Sequence, residues 1–206
     1  MQASTLVAVL EEARARGFLG PGPVGAHLEH AAGFAEAIAS SAPPRSAVDL
    51  GSGGGVPGLV LAIAWPDSTW TLVEAHGRRA SFLQEAASQL GCAARVHVVA
   101  ERAEIVGRDP AHRGRYPLVV ARSFGPPAVT AECASALLAP GGVLVVSEPP
   151  ASDGARWRPA GLSLLGAAPE RLVRTAKGTF QLIRQASPCP SRYPRRVGVP
   201  SKRPLF

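Results

Sequence analysis

At 206 residues the chain is long enough to bury one full core, and 46% apolar against 18% charged residues excludes a disordered polymer. The net charge is +7, and five basic residues (Arg192, Arg195, Arg196, Lys202 and Arg203) fall in residues 187–206, which hold no acid; this end suits a solvated terminus or a contact with a polyanion. Three cysteines without a C-x-x-C pair argue against a disulfide framework or a zinc site, and the lack of a signal-type apolar region or a membrane-length apolar run leads to the expectation of a soluble, cytoplasmic protein with no metal and no membrane contact.

In chain order, residues 4–16 read as a short amphipathic helix, with Leu6, Val7, Val9 and Leu10 apolar before a charged end. Breakers make residues 17–25 a loop, and a second helix is expected over 26–40, burying Leu28, Ala31, Ala32, Phe34, Ala35 and Ile38. From there strand and helix alternate. Strands are expected at 47–50, 69–74, 95–100, 118–122 and 142–147. Helices are expected at 57–64, 78–90 and 128–138, with a turn or short helix at 101–106. Two further strands, 162–167 and 179–185, have no helical pattern between them. Alternation followed by an antiparallel pair predicts an α/β fold: a seven-stranded, mostly parallel, Rossmann-like sheet with a C-terminal antiparallel hairpin and helices on both faces. The expected division is a helical lid or cap over 1–45, the main domain over 46–186 and a basic, Pro/Arg-rich tail over 187–206.

The stretch "DLGSGGGVPG" (residues 49–58) satisfies two glycine fingerprints. Gly53-x-Gly55-x-x-Gly58 has the dinucleotide spacing, and Gly51-x-Gly53-x-Gly55 has the spacing found in S-adenosylmethionine (SAM) enzymes. Both rely on glycines at a strand-to-helix turn, where the backbone can approach a ligand closely. Asp49 stands two residues before the first glycine and Glu74 closes the next strand, where an acid can take ribose hydroxyls. "LLAPGGVLVV" (137–146) resembles the entry to the fifth strand of SAM methyltransferases, and the terminal hairpin agrees with it. The loop carries no lysine, which excludes a phosphate-binding P-loop. The cofactor expected is S-adenosyl-L-methionine in a class I methyltransferase fold.

Five segments then occur in order: "AVDLGSGGGVPGLVLAI" (47–63), "LVEAHGRRASFL" (72–83), "AERAEI" (100–105), "VVARSFGPP" (119–127) and "YPRRVGVPSKRPL" (193–205). Together they resemble the RNA methyltransferase G family (glucose-inhibited division protein B), which methylates N7 of a guanine in 16S ribosomal RNA. The resemblance implies a cofactor site of Asp49, Gly51, Ser52, Gly53, Gly55 and Val56, with Glu74 near the ribose. Ala103 and Glu104 would pass the adenine largely through backbone. Arg122 would face the transferred methyl group as the catalytic and substrate-side residue. It also implies ribosomal RNA or the small ribosomal subunit as partner, with substrate contacts from Ser147, Glu148, Arg195, Arg196, Lys202 and Arg203. Guanine N7 carries a free lone pair, so its methylation requires alignment and no general base.

The chain departs from the family pattern in three places. No tryptophan-asparagine or "NLT" segment precedes the glycine loop, where residues 17–25 stand instead. The family's H-x-x-D-S becomes His27-Leu28-Glu29-His30-Ala31, whose two histidines read as helix-surface or lid residues. A Lys-Gly after the fifth strand becomes Ser147-Glu148, which removes a positive charge from the expected substrate edge and places an acid there. These departures leave open a small-molecule or nucleobase acceptor, or a SAM-binding, RNA-associated protein without catalysis.

Overall fold

The computed structural model describes residues 2–39 and 42–206. Two helices, α1 (Gln2–Ala15) and α2 (Val24–Ala37), precede the sheet; position 40, expected to end the second helix, lies outside the described residues. The alternating part then runs β1 (Ser46–Leu50), α3 (Gly58–Ala64), β2 (Thr69–Val73), α4 (Gly77–Gln89), β3 (Val96–Val99), α5 (Ala103–Val106), β4 (Tyr116–Ala121), α6 (Pro127–Leu137) and β5 (Leu138–Glu148). It closes with α7 (Pro159–Ser163), β6 (Ala167–Thr175), β7 (Gly178–Gln185) and α8 (Val199–Lys202).

The seven strands lie in the order β3-β2-β1-β4-β5-β7-β6. Neighbours from β3 to β5 pair in parallel, whereas β7 runs antiparallel to both β5 and β6. This is the predicted α/β architecture. Strands β1, β2 and β4 are almost wholly buried, which is why they read in the sequence as short continuous apolar runs. The order reverses between β1 and β4, and the crevice outside the carboxyl ends of such strands is where open α/β sheets bind ligands.

One face of the sheet packs against α2, α3 and α4, with α1 lying on α2 and α4. Leu10, Phe34, Leu59, Phe82 and Leu83 share a single apolar cluster there with Leu72 and Phe180. The N-terminal helices therefore share a core with the sheet. The opposite face packs against α5, α6 and α7, with Tyr193 and Phe206 from the C-terminal segment closing it. Helix α6 is buried from Ala128 to Leu137. A helix without a solvated face needs cover on both sides, and residues 193–200 supply the second cover: α8 packs on α6.

The expected strand at 162–167 is corrected. Pro159 opens α7, Leu162 and Leu165 sit buried on the same cluster, and Gly166 at φ +74° turns the chain into β6. Pro fits the first turn of a helix because its missing N–H would be unpaired there. The true edge strand carries Glu170, Arg171 and Arg174 and a register shift between Pro169 and Arg171. Charge, proline and irregular pairing protect sheet edges from association, and they hide the strand's alternation.

Candidate active site

The site forms where β1, β2 and β4 end. Beyond Leu50 the chain turns through Gly51, Gly53 and Gly55, all at positive φ. The N–H groups of Gly51 and Ser52 donate to the Val73 carbonyl at 2.8 and 3.1 Å, which ties the loop to β2. The Ser52 hydroxyl donates to the Asp49 carbonyl at 2.9 Å. The Glu74 carboxylate joins the same loop to the next one, accepting from Gly53 N–H at 2.9 Å and His76 N–H at 2.8 Å.

Asp49 is buried beneath the turn. Its Oδ2 accepts from Gly58 N–H at 2.8 Å, anchoring the first residue of α3. Its Oδ1 is buried without a hydrogen-bond partner among the described residues. Burial pushes the Asp49 carboxyl up to about 7, against the opposing pull of the Gly58 bond and the Arg122 charge.

Arg122 follows β4 directly. Its Nη2 donates to Nδ1 of His27 at 2.6 Å, and its Nη1 is buried without a partner among the described residues. Burial lowers the arginine's pKa, and Asp49 opposes that shift. Ser123 beside it has φ +54°, a left-handed conformation uncommon outside glycine. Such strained positions cluster at functional sites.

These residues surround two adjoining cavities that share Gly51, Arg79 and Ser123. The larger holds about 470 Å³ and is lined by Glu74, Ala103, Glu104, Phe124 and Ser201. The smaller holds about 180 Å³, between Phe18–Leu19–Gly20 on one side and Gly51 to Gly54 with Arg122 on the other. The larger volume falls within the range of small-molecule sites. The predicted cofactor residues Gly51, Ser52, Gly53, Val56, Glu74, Ala103, Glu104 and Arg122 all line one cavity or the other. Two predicted residues stand behind the wall: Asp49 anchors α3, and Gly55 packs on Leu59.

The predicted substrate residues other than Arg122 do not converge. The Glu148 side chain is fully buried near Arg156, and it accepts from Trp157 Nε1 at 3.0 Å and the Ser152 hydroxyl at 2.6 Å. The expected acid at the substrate edge is therefore corrected: a carboxylate at the end of β5 is satisfied by folding residues 149–158 over it. Ser147 lies half-buried in the ladder opposite Phe180. Arg195, expected to reach RNA phosphate, instead grips Glu132 of α6 with Nε at 2.9 Å and Nη2 at 2.6 Å. That carboxylate is fully buried, so the arginine holds the C-terminal segment down. The backbone N–H of Gly198 donates to Glu104 Oε1 at 3.0 Å, a second tie between this segment and the cavity wall. Arg196, Lys202 and Arg203 are exposed.

The sequence reading missed His27, Phe18, Leu19, Arg79, Ser123 and Ser201. His27 belongs to α2 yet is buried against Arg122, a contact spanning 95 residues that no local pattern announces. His30, which replaces the family's aspartate, stacks on Phe34 at 5.7 Å and meets the edge of Phe180 at 5.3 Å. Among the described residues no cluster of three or more His, Cys, Asp or Glu could hold a metal ion. No helix there is long and apolar enough to cross a membrane.

The family model described as GidB, rRNA small subunit methyltransferase G, matches residues 24–152. The ribosomal RNA small subunit methyltransferase G of Prochlorococcus marinus (strain MIT 9313) is 40% identical over 175 residues, covering 79% of this chain and 68% of its own. The protein of the same name from Roseiflexus castenholzii is 38% identical over 169 residues, covering 79% and 72%. Among solved structures, the O-methyltransferase from Bacillus cereus in complex with SAH superposes with a TM-score of 0.61 at 15% identity, covering 88% of this chain and 90% of that one. At that identity the likeness shows the fold.

Proposed function

The chain belongs to the rRNA small subunit methyltransferase G family, and from that premise we propose that it transfers the methyl group of SAM to N7 of a guanine in small-subunit ribosomal RNA. One observation carries the reading: the family match over 24–152 contains Gly51 to Gly54, Glu74, Ala103, Glu104 and Arg122, which line two adjoining cavities.

The residues present fit SAM. The buried, unpartnered Nη1 of Arg122 is a donor at the cavity wall, suited to an anionic or carbonyl acceptor. Each oxygen of Glu74 already accepts one backbone N–H and keeps a second lone pair for a ribose hydroxyl. Bound there, the cofactor supplies a methyl group made electrophilic by its sulfonium sulfur. The protein's own work is to orient and to exclude water. Guanine N7 presents its lone pair at neutral pH, so no side chain need remove a proton first.

Arg196, Lys202 and Arg203 are the candidates for phosphate contact, since they are exposed in the segment whose Ser201 lines the larger cavity. Incubation with methyl-labelled SAM and three acceptors (small ribosomal subunits, naked 16S RNA and free guanosine) tests the proposal. Label is expected in RNA, in the subunit or the naked form. Label in guanosine alone contradicts it.

A further inference from the structure

We propose that His27 is the positioning residue of Arg122, and that through it the N-terminal segment builds one wall of the cofactor site. The inference rests on the cofactor reading above and adds a residue that neither the glycine loop nor the strand ends reveal. Arg122 stands at the end of β4 with one terminal nitrogen free and the other bonded to His27 Nδ1 at 2.6 Å. A guanidinium has only donors, so Nδ1 must be the accepting nitrogen and the ring proton must sit on Nε2. That nitrogen lies 3.2 Å from the Gly20 carbonyl and donates to it. A single neutral tautomer thus holds Arg122 on one side and the 17–23 loop on the other.

The loop it holds is the one that covers the glycine turn. A Cβ on Gly54 would lie 2.7 Å from Leu19 Cδ2 and 3.0 Å from the Phe18 carbonyl. Phe18, Leu19, Gly20 and Arg122 line the smaller cavity together. Without His27, the arginine has five donors and no described side-chain acceptor to set its rotamer, and the free Nη1 loses its fixed place.

The groups facing His27 come from several elements. Arg122 approaches from β4 and Arg14 from α1, and both disfavour a charged imidazole, while His30 lies one turn away on α2. The charge of Asp49 on β1 acts on Arg122 in turn. Burial and these cations hold the His27 pKa below its ordinary 6.5, so the ring is neutral at physiological pH and available as an acceptor. Protonation would remove the acceptor and set two cations side by side.

The two hydrogen bonds can be separated by substitution. His27→Asn keeps an acceptor at the Nδ1 position but cannot reach Gly20, whereas His27→Gln offers a donor toward Gly20 and loses the acceptor for Arg122. Calorimetric binding of S-adenosylhomocysteine (SAH) to the full chain is the readout, with melting temperature in the absence of SAH as the folding control. The expected result is roughly tenfold weaker binding for His27→Gln and His27→Ala, with His27→Asn within about twofold of wild type. Affinity of the wild type should also fall as pH drops below the ordinary histidine range, with a flatter profile in His27→Asn; titration of Asp49 is common to both proteins. Rescue by Gln in place of Asn would assign His27 to loop packing and overturn the proposal, as would wild-type affinity in all three variants. SAH binding by none of the four proteins would overturn the cofactor reading as well.

Discussion

Asp49 shows how one side chain serves both the fold and the site. Its carboxylate anchors the N–H of Gly58 at the start of α3, and the approach is so close that a Cβ on Gly58 would lie 2.5 Å from Oδ2 and 2.7 Å from Leu72 Cδ2. Gly58→Ala should therefore destabilise the protein by about 1–3 kcal/mol in urea unfolding, through overpacking against a strand that cannot retreat. In the sequence this glycine only completes a dinucleotide spacing; its actual reason is contact with β1 and β2. The Asp49 carboxyl, at about 7, lies well above its ordinary 3.8. The folded state thus holds the proton more tightly than the unfolded chain. That contribution is full below the ordinary carboxylate range and is lost as pH rises through 7. Asp49→Asn keeps the acceptor for Gly58 and cannot ionise. Relative to this variant, the wild type should lose stability between pH 5 and pH 8, by at most about 3 kcal/mol. Parallel unfolding curves at the two pH values would contradict the burial argument.

At the scale of elements, the C-terminal segment changes most between sequence and structure. Its five basic residues read as one tail, yet they divide by what lies beneath them. Arg195 and the backbone of Gly198 are committed to Glu132 and Glu104, while Arg192, Arg196, Lys202 and Arg203 face solvent. The signal was present in α6, "PAVTAECASAL", whose only charge is Glu132 and which has no solvated face to offer. An apolar helix with one buried acid requires a cationic cover, but nothing in the sequence says which of five basic residues supplies it. Arg195→Ala should cost about 3 kcal/mol by leaving Glu132 buried and unpaired. Arg196→Ala should shift stability by no more than about 0.5 kcal/mol and weaken RNA binding instead. Thermal unfolding and RNA filter binding of the two variants check this contrast. The edge strand β6 is hidden in the sequence for the opposite reason: charge and a register shift between Pro169 and Arg171 erase the alternation that marks half-buried strands.

Over the whole molecule, what the sequence disclosed is what local physics dictates. Strands buried on both faces, helices with apolar stripes such as Ala80, Phe82, Leu83, Ala86 and Ala87 in α4, and a glycine turn between them write periodicities that survive in one dimension. That alternation leads to a mostly parallel sheet, and the observed reversal of strand order between β1 and β4 sets the cavity outside the strand ends. Contacts across the chain left no such trace. His27 on Arg122, Phe18 and Leu19 on the glycine turn, and Ser201 at the larger cavity all join segments far apart in sequence. With four exposed cations (Arg192, Arg196, Lys202 and Arg203) in the segment that reaches the cavity, RNA binding should weaken steeply with salt, and each phosphate contact removed by substitution should lower the slope of log K against log salt by about 1. The most direct measurement concerns the methylated atom itself. 16S RNA treated with the protein and SAM is reduced with borohydride, exposed to aniline and resolved by primer extension. Guanine methylated at N7 makes the chain cleave there, so a single new stop at one guanine, dependent on SAM and lost in Arg122→Ala, is the predicted result. Methyl incorporation without any aniline-sensitive site would contradict the assignment to N7.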